Sequence, residues 1–233
     1  MSAADIITSV QDDGRTALTE AEAKGLFAEL GIRVPDHAVV SNADEAVAEA
    51  DAIGYPVVAK VSSPEVQHKT EWAGGRGVQV GLANETEVRA AVDDILSGAD
   101  EQGIDANVLI EAQLDIDVGT ELIVGGVRDE AFGPAVLVGL GGVFTEIFED
   151  TSHRLAPLST TEAKSAIESL QSLPLLEGYR GKAPADIDAL AETVQAIGDL
   201  VVEHDAVAEV DVNPVLAQES GVIALDALVT LTE

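Results

Sequence analysis

Residues 107–142 read NVLIEAQLDIDVGTELIVGGVRDEAFGPAVLVGLGG. Three apolar, β-branched runs follow one another there, separated by Gly, Pro and Asp and with few helix signals between them. That texture predicts successive strands of a mostly antiparallel sheet. Upstream the texture differs. In LTEAEAKGLFAELG, starting at Leu18, a Thr19/Glu22 capping box, apolar Ala23, Leu26, Phe27 and Leu30, and a stop at Gly31 predict a helix. A short strand at Ala38–Ser41 leads to a second helix closed by Gly54, and YPVVAKVSS is a strand entered through Pro56. RGVQVGL reads as a strand, and NETEVRAAVDDILSGA as a helix opened by Asn84 and Glu87. Alternating β and α segments predict helices covering a sheet. Downstream of the opening stretch come two helices, within 159–173 and 183–204. AVAEVDVNP and GVIALDALVTL then form two strands joined by a turn. The chain is therefore expected to be α+β with two lobes, 1–107 and 108–233.

Composition narrows the partners. The chain has 233 residues, enough for a sizeable core, with 46% hydrophobic but only 3% aromatic residues. The core must be built from Val, Leu, Ile and Ala. No cysteine is present, which excludes disulfides and thiolate metal sites. No run is long and apolar enough for a membrane span, and the N-terminus lacks a signal-peptide pattern, so a cytoplasmic protein is expected. Forty-three acids against twelve Lys+Arg give a net charge of −31, which repels nucleic acid and anionic membranes. Because the acids are spread along periodic apolar segments, they predict adaptation to a salt-rich cytoplasm rather than disorder. On such a background the surviving bases are expected to hold an anion such as a nucleotide.

Several constellations carry chemistry. Lys60 lies in the apolar strand Val57–Val61 and needs an anionic partner there, or an edge position that reaches solvent. AGGRGV (Ala73 to Val78) either lays backbone N–H groups against phosphate or makes a tight turn. In EVDVNP, Asp211 and Asn213 share one face of a strand, and Asp226 is expected level with them on the next strand. Oxygen donors converging in this way suit Mg²⁺; a pair of solvated acids is the plain alternative. His68, followed by Lys69, is the candidate nucleophile, since imidazole accepts and releases a phosphoryl group readily. It would need a carboxylate to orient it, and Asp211 could supply one.

HKTEWAGG, FGPAVLVGLGGVFTEIFEDTSHRLAPL, LLEGYRG and EVDVNPVL…GVIALDA, in this order, resemble the ATP-grasp β subunit of the ADP-forming acetyl-CoA synthetases (acyl-CoA synthetase, NDP-forming). The resemblance runs from about Leu18 to Leu231. It implies an ATP-grasp fold whose two lobes bind ATP or ADP with Mg²⁺, and the reaction acyl-CoA + ADP + phosphate ⇌ carboxylic acid + ATP + CoA. It also implies a CoA-binding α subunit as partner, in an α2β2 heterotetramer. Carried onto this sequence, His68 is the phosphohistidine that passes phosphate between the partner and ADP. Lys60 contacts nucleotide phosphates, and Glu111, Ala112 and Gln113 hold adenine, largely through backbone groups. Glu121 approaches the ribose and Arg154 the phosphates. Asn213 and Asp226 are Mg²⁺ ligands; Asp211 is either a third ligand or the carboxylate that orients His68. Two departures stand out: the loop after the histidine is longer by a few residues around Trp72–Arg76, and His153 replaces a commonly aromatic residue. Succinyl- or malate-CoA ligase β subunits, ATP-grasp carboxylate–amine ligases and a nucleotide-sensing module are the rival readings.

Overall fold

The computed structural model describes residues 1–66, 69–142, 150–179 and 182–232. The chain divides into two compact units, one of residues 1–34 with 115–233 and the other of residues 35–114.

The smaller unit is a four-stranded antiparallel sheet in the order β1-β4-β2-β3: β1 is His37–Val40, β2 Val57–Ser62, β3 Val78–Leu82 and β4 Asn107–Ala112. Helices α3 (Ala43–Ile53) and α4 (Glu85–Gln102) cover one face. Asn42 and Asn84 cap them by accepting from the Glu45 and Glu87 amides, which satisfies donors the helix cannot bond itself. Val57, Ala59 and Val61 of β2 point into the core with Val92 and Ile95 of α4. The expected βα alternation is present, with one correction: β4, grouped by its texture with the second lobe, lies between β1 and β2. Val108, Leu109, Ile110 and Glu111 are all buried, and a strand buried on both faces belongs at a sheet's centre rather than at its edge.

The larger unit is a six-stranded antiparallel sheet. Its order is β10-β8-β5-β6-β7, with β9 paired to β8. The strands are β5 (Thr120–Asp129), β6 (Gly133–Leu140), β7 (Thr151–Leu155), β8 (Val207–Ala217), β9 (Val222–Ala224) and β10 (Leu228–Leu231). Helices α5 (Thr160–Glu168) and α6 (Ile187–Glu203) pack on one face; at Gly126 of β5 an added Cβ would lie only 2.8 Å from Val201 and 2.9 Å from Ile197. Helix α2 (Glu20–Glu29) was expected with the first lobe, and α1 (Ala3–Asp12) precedes it as a helix that the sequence reading does not contain. Their apolar residues Ile6, Ile7, Val10, Leu26 and Phe27 instead share the core of the larger sheet. The single break expected at residue 107 is thus replaced by two crossings, after residues 34 and 114. An amphipathic helix announces that it has an apolar face, not which sheet will cover it.

Candidate active site

Strand alternation sorts the larger sheet into two faces. On β8, Val210 and Val212 enter the core, while Glu209, Asp211 and Asn213 lie on the face opposite the helices. The register places Asp211 beside Leu228 on one side and Gly125 on the other; Gly125 pairs with Leu137, and Leu137 with His153. This row therefore runs across the open face from Asp211 to His153, a span of three strand spacings or about 14 Å. A groove of about 370 Å³ lies along it, lined by Ile123, Gly125, Leu137, Thr151, His153 and Asp211.

The neighbouring row, Val210–Gly126–Val136–Arg154, faces the helices. Arg154 accordingly donates to Ser152 Oγ at 2.9 Å, to the His153 carbonyl at 2.8 Å and to the Ser165 carbonyl of α5 at 3.5 Å. The structure does not bring Arg154 together with Asp211: the two lie on opposite faces of one sheet, and His153 is the neighbour that shares the open face. Parity in TSHRL separates His153 from Arg154, but the sequence does not say which parity faces the helices.

Asp226, expected on a strand, falls in the break between β9 and β10. Ala224 pairs with Val215 and Leu228 with Asp211, so Asp226 sits beside the Asn213–Pro214 step, where the Leu225 amide donates to the Pro214 carbonyl at 3.0 Å. The break frees Asp226 from strand alternation, and its Oδ1 accepts from the Ala227 amide at 2.8 Å. Burial pushes the Asp211 carboxyl above its ordinary value, and the negative charges of Glu209 and Asp226 push it further. Glu209 is a contributor that the sequence reading passed over, although it stands two residues from Asp211 with the same parity. The Asp211 and Asp226 carboxylates, with the Asn213 amide oxygen on the strand face of Asp211, form a hard donor set that a divalent cation would neutralise. Among the described residues no group of three or more His, Cys, Asp or Glu is arranged for a metal. The Asp211, Asn213 and Asp226 set suits a cation that takes its remaining ligands from water and phosphate oxygens, as Mg²⁺ does.

Glu121 of β5 lies next to a glycine turn. Its carbonyl accepts from the Gly141 amide at 2.9 Å, and a Cβ on Gly142 would come within 3.4 Å of its carboxylate.

In the smaller unit, Lys60 and Glu111 are 8% and 4% exposed, and their Nζ and Oε1 atoms are 2.7 Å apart. The lysine is thus a buried ion-paired residue, not an edge lysine. The Ala112 amide donates to the Asp36 carbonyl at 2.9 Å and the Gln113 amide to the Pro56 carbonyl at 3.1 Å. The Gln113 side-chain oxygen accepts from the Gly81 amide. These bonds fix residues 111–113 against three other segments and occupy the two amide hydrogens. AGGRGV forms the tight turn: the Gly75 and Arg76 amides both donate to the Trp72 carbonyl. His68 lies outside the described residues; its neighbour Lys69 is described.

Comparison with known proteins agrees with this architecture. Residues 9–231 match the ATP-grasp domain family. The Pyrococcus furiosus acetate–CoA ligase [ADP-forming] I subunit beta is 40% identical over 232 residues, covering 98% of this chain and 97% of that one. A solved structure of Ca. Korarchaeum cryptofilum acetyl-coenzyme A synthetase 1 in complex with coenzyme A and Ca-AMPCP superposes with a TM-score of 0.91. It is 38% identical and covers 99% of this chain and 100% of that one. A second structure of that synthetase, with coenzyme A and Mg-AMPPCP, has its phosphohistidine segment pointing towards the nucleotide binding site; there the TM-score is 0.85 at 39% identity, with the same coverage. The chain therefore belongs to the ATP-grasp family, among the β subunits of ADP-forming acetate–CoA ligases.

Proposed function

We propose that this chain is the nucleotide-handling β subunit of an ADP-forming acyl-CoA ligase, working as half of an α2β2 assembly with a CoA-binding α subunit. His68 accepts a phosphoryl group from the partner's phosphohistidine and passes it to ADP. The P–N bond to imidazole breaks as the terminal oxygen of ADP forms a P–O bond, and the imidazole is left free for the next cycle. The observation that carries this reading is the acidic set around Asp211, whose anion is destabilised by burial and, beyond that, by the charges of Glu209 and Asp226. Asp211, Asn213 and Asp226 would hold Mg²⁺, which supplies charge neutralisation of nucleotide phosphates. Asp211, if not itself a ligand, holds the His68 ring in the orientation for transfer. Lys60, Glu111, Ala112, Gln113 and Glu121 bind and orient the nucleotide. Arg154 supports the open face from behind by bracing β7 against α5. No helix among the described residues is long and apolar enough to cross a membrane. With the charge of −31, we place the protein in the cytoplasm of a salt-accumulating organism.

The test is direct. The chain and its partner, with Mg²⁺ and γ-labelled ATP in molar KCl, should yield acid-labile, base-stable label on protein, and His68→Ala should abolish it. Label retained in His68→Ala would remove the relay from this residue, and no phosphohistidine at all would favour direct acyl-phosphate chemistry of the carboxylate–amine type.

A further inference from the structure

The sheet of the larger unit keeps its arginines on one side. Among the described residues its strands hold two Lys or Arg side chains, Arg128 of β5 and Arg154 of β7. Arg128 donates to the carbonyls of Val201 and His204 at the end of α6 and to that of Val207. Arg154 donates to the Ser165 carbonyl of α5. Both guanidinium groups therefore serve the helix side. The open face carries Glu121, Glu209 and Asp211, and among the described strand residues its one basic side chain is His153. A face that holds a polyphosphate needs donors as well as a metal, because its carboxylates repel the phosphate oxygens.

His153 is placed to be such a donor. Thr151 pairs with Gly139, where an added Cβ would lie 2.7 Å from Thr151 Cγ2, so the threonine methyl rests over the glycine. Thr151 Oγ1 stands 3.5 Å from His153 Nε2, at the outer limit of a hydrogen bond. The exposed ring makes no other hydrogen bond among the described residues. An imidazole N–H and a threonine hydroxyl thus stand at one end of the groove whose other end is Asp211. Between the ends, Leu137 gives an apolar wall and Gly125 leaves the path clear. A Cβ on Gly125 would come 3.9 Å from the Leu137 Cβ, so any side chain there would stand in the groove.

The direction of the groove decides what its far end holds. Glu121, placed at the ribose by the family resemblance, stands four residues from Gly125, about 14 Å along β5. Leu122 pairs with Val215 and Gly125 with Asp211, so Asn213 and Asp211 flank that stretch of β5. A nucleotide with its ribose at Glu121 reaches the metal donors by running along the strand. From Asp211 the groove turns across the strands towards His153. In a nucleoside triphosphate, the part that continues past the metal donors is the terminal phosphate.

We propose that His153, with Thr151, holds the terminal phosphate of ATP on the open face and so sets the preference of this site for ATP over ADP. The inference rests on the reading that Mg²⁺ and the nucleotide bind at Asp211, Asn213 and Asp226. It moves to His153 the phosphate contact that the resemblance gives to Arg154, because strand parity turns the arginine to α5. In the direction that makes ATP, the same donors face the phosphoryl group as it joins ADP, whose oxygens carry the charge to be stabilised.

The test uses the chain assembled with its partner subunit in molar KCl. Calorimetry compares binding of Mg·AMPPCP, an ATP analogue that does not transfer its terminal phosphate, with binding of Mg·ADP. His153→Ala should weaken Mg·AMPPCP at least about tenfold, the worth of a hydrogen bond to a charged group, and Mg·ADP less than about twofold. His153→Phe, which keeps a ring without donors, should match the alanine variant, and His153→Gln should retain part of the affinity. The side chain is exposed, so these substitutions leave the core intact. Equal weakening of both nucleotides, or a phenylalanine variant that binds Mg·AMPPCP as the parent does, would overturn the assignment. A selective loss of Mg·AMPPCP in Arg154→Ala would do the same by returning the contact to the arginine. Asp226→Asn keeps the two readings apart: it should weaken both nucleotides, and if it weakens neither, the nucleotide does not lie on this face and the metal-site reading itself fails.

Discussion

Lys60 and Glu111 show what a single residue reveals before its neighbours are known. An ammonium inside an apolar strand demands an anion, and the structure supplies one from the adjacent strand at 2.7 Å. Sequence reasoning assigned both residues to the nucleotide separately, because spacing alone does not show that β4 lies beside β2. Lys60→Met should leave the Glu111 charge buried without its cation and cost about 3–5 kcal/mol in urea denaturation. Lys60→Met combined with Glu111→Leu should recover most of that loss while nucleotide affinity stays low; an unchanged urea midpoint in the single variant would show that the pair does not hold the sheet. The same logic corrects the expectation that bases in so acidic a chain are reserved for a ligand. Arg15 pairs with Glu22, Lys24 with Glu20, Arg76 with Glu101, Arg89 with Asp44, Arg128 with Asp205 and Lys164 with Asp188. Most of these cations are local counter-ions, a role that a linear list of charges cannot display.

Individual elements were legible where their chemistry is local. The Thr19/Glu22 box and the Asn84 cap with Glu87 depend on residues three positions apart and appear as the sequence indicates. Asp186 does more than its local motif announces: besides capping α6 through the Ala189 amide at 3.0 Å, it accepts from the Gly221 amide at 3.0 Å, thirty-five residues away. These bonds, Ala189 first, hold its carboxyl below the ordinary aspartate value. Asp186→Ala should therefore cost about 1 kcal/mol at neutral pH. The sign of the pH effect follows from the lowered value: the stabilisation is present above the unfolded pKa, about 3.9, and is lost as pH falls through the folded one. Urea midpoints of the parent and variant should converge below about pH 4. A gap that widens there would contradict the assignment. What the elements did not disclose is partnership: β4 reads as the first strand of the second texture yet completes the first sheet, and β7, to which the sequence reading gives no element, turns Arg154 to the helices.

For the whole molecule, composition and family motifs indicated the architecture, while the path of the chain between the units escaped them. Charge is the property that belongs only to this scale. A net charge of −31 on 233 residues opposes compaction through many small repulsions, and no single ion pair offsets it. Raising KCl from about 0.1 to about 1 M shortens the screening length from about 10 to about 3 Å. The melting temperature should climb steadily across that interval, and a flat curve would refute salt adaptation. The crossings after residues 34 and 114 have a consequence for how the chain is made. Residues 35–114 are contiguous and can complete their own core while later residues are still being synthesised. The larger unit cannot: Leu18 donates to the Val229 carbonyl, and Leu231 to the Thr16 carbonyl, so helices α1 and α2 wait for β10. Strand β10, which closes the sheet beside Asp211, is made only after residues 35–114, so the inserted unit is folded before the unit that contains it.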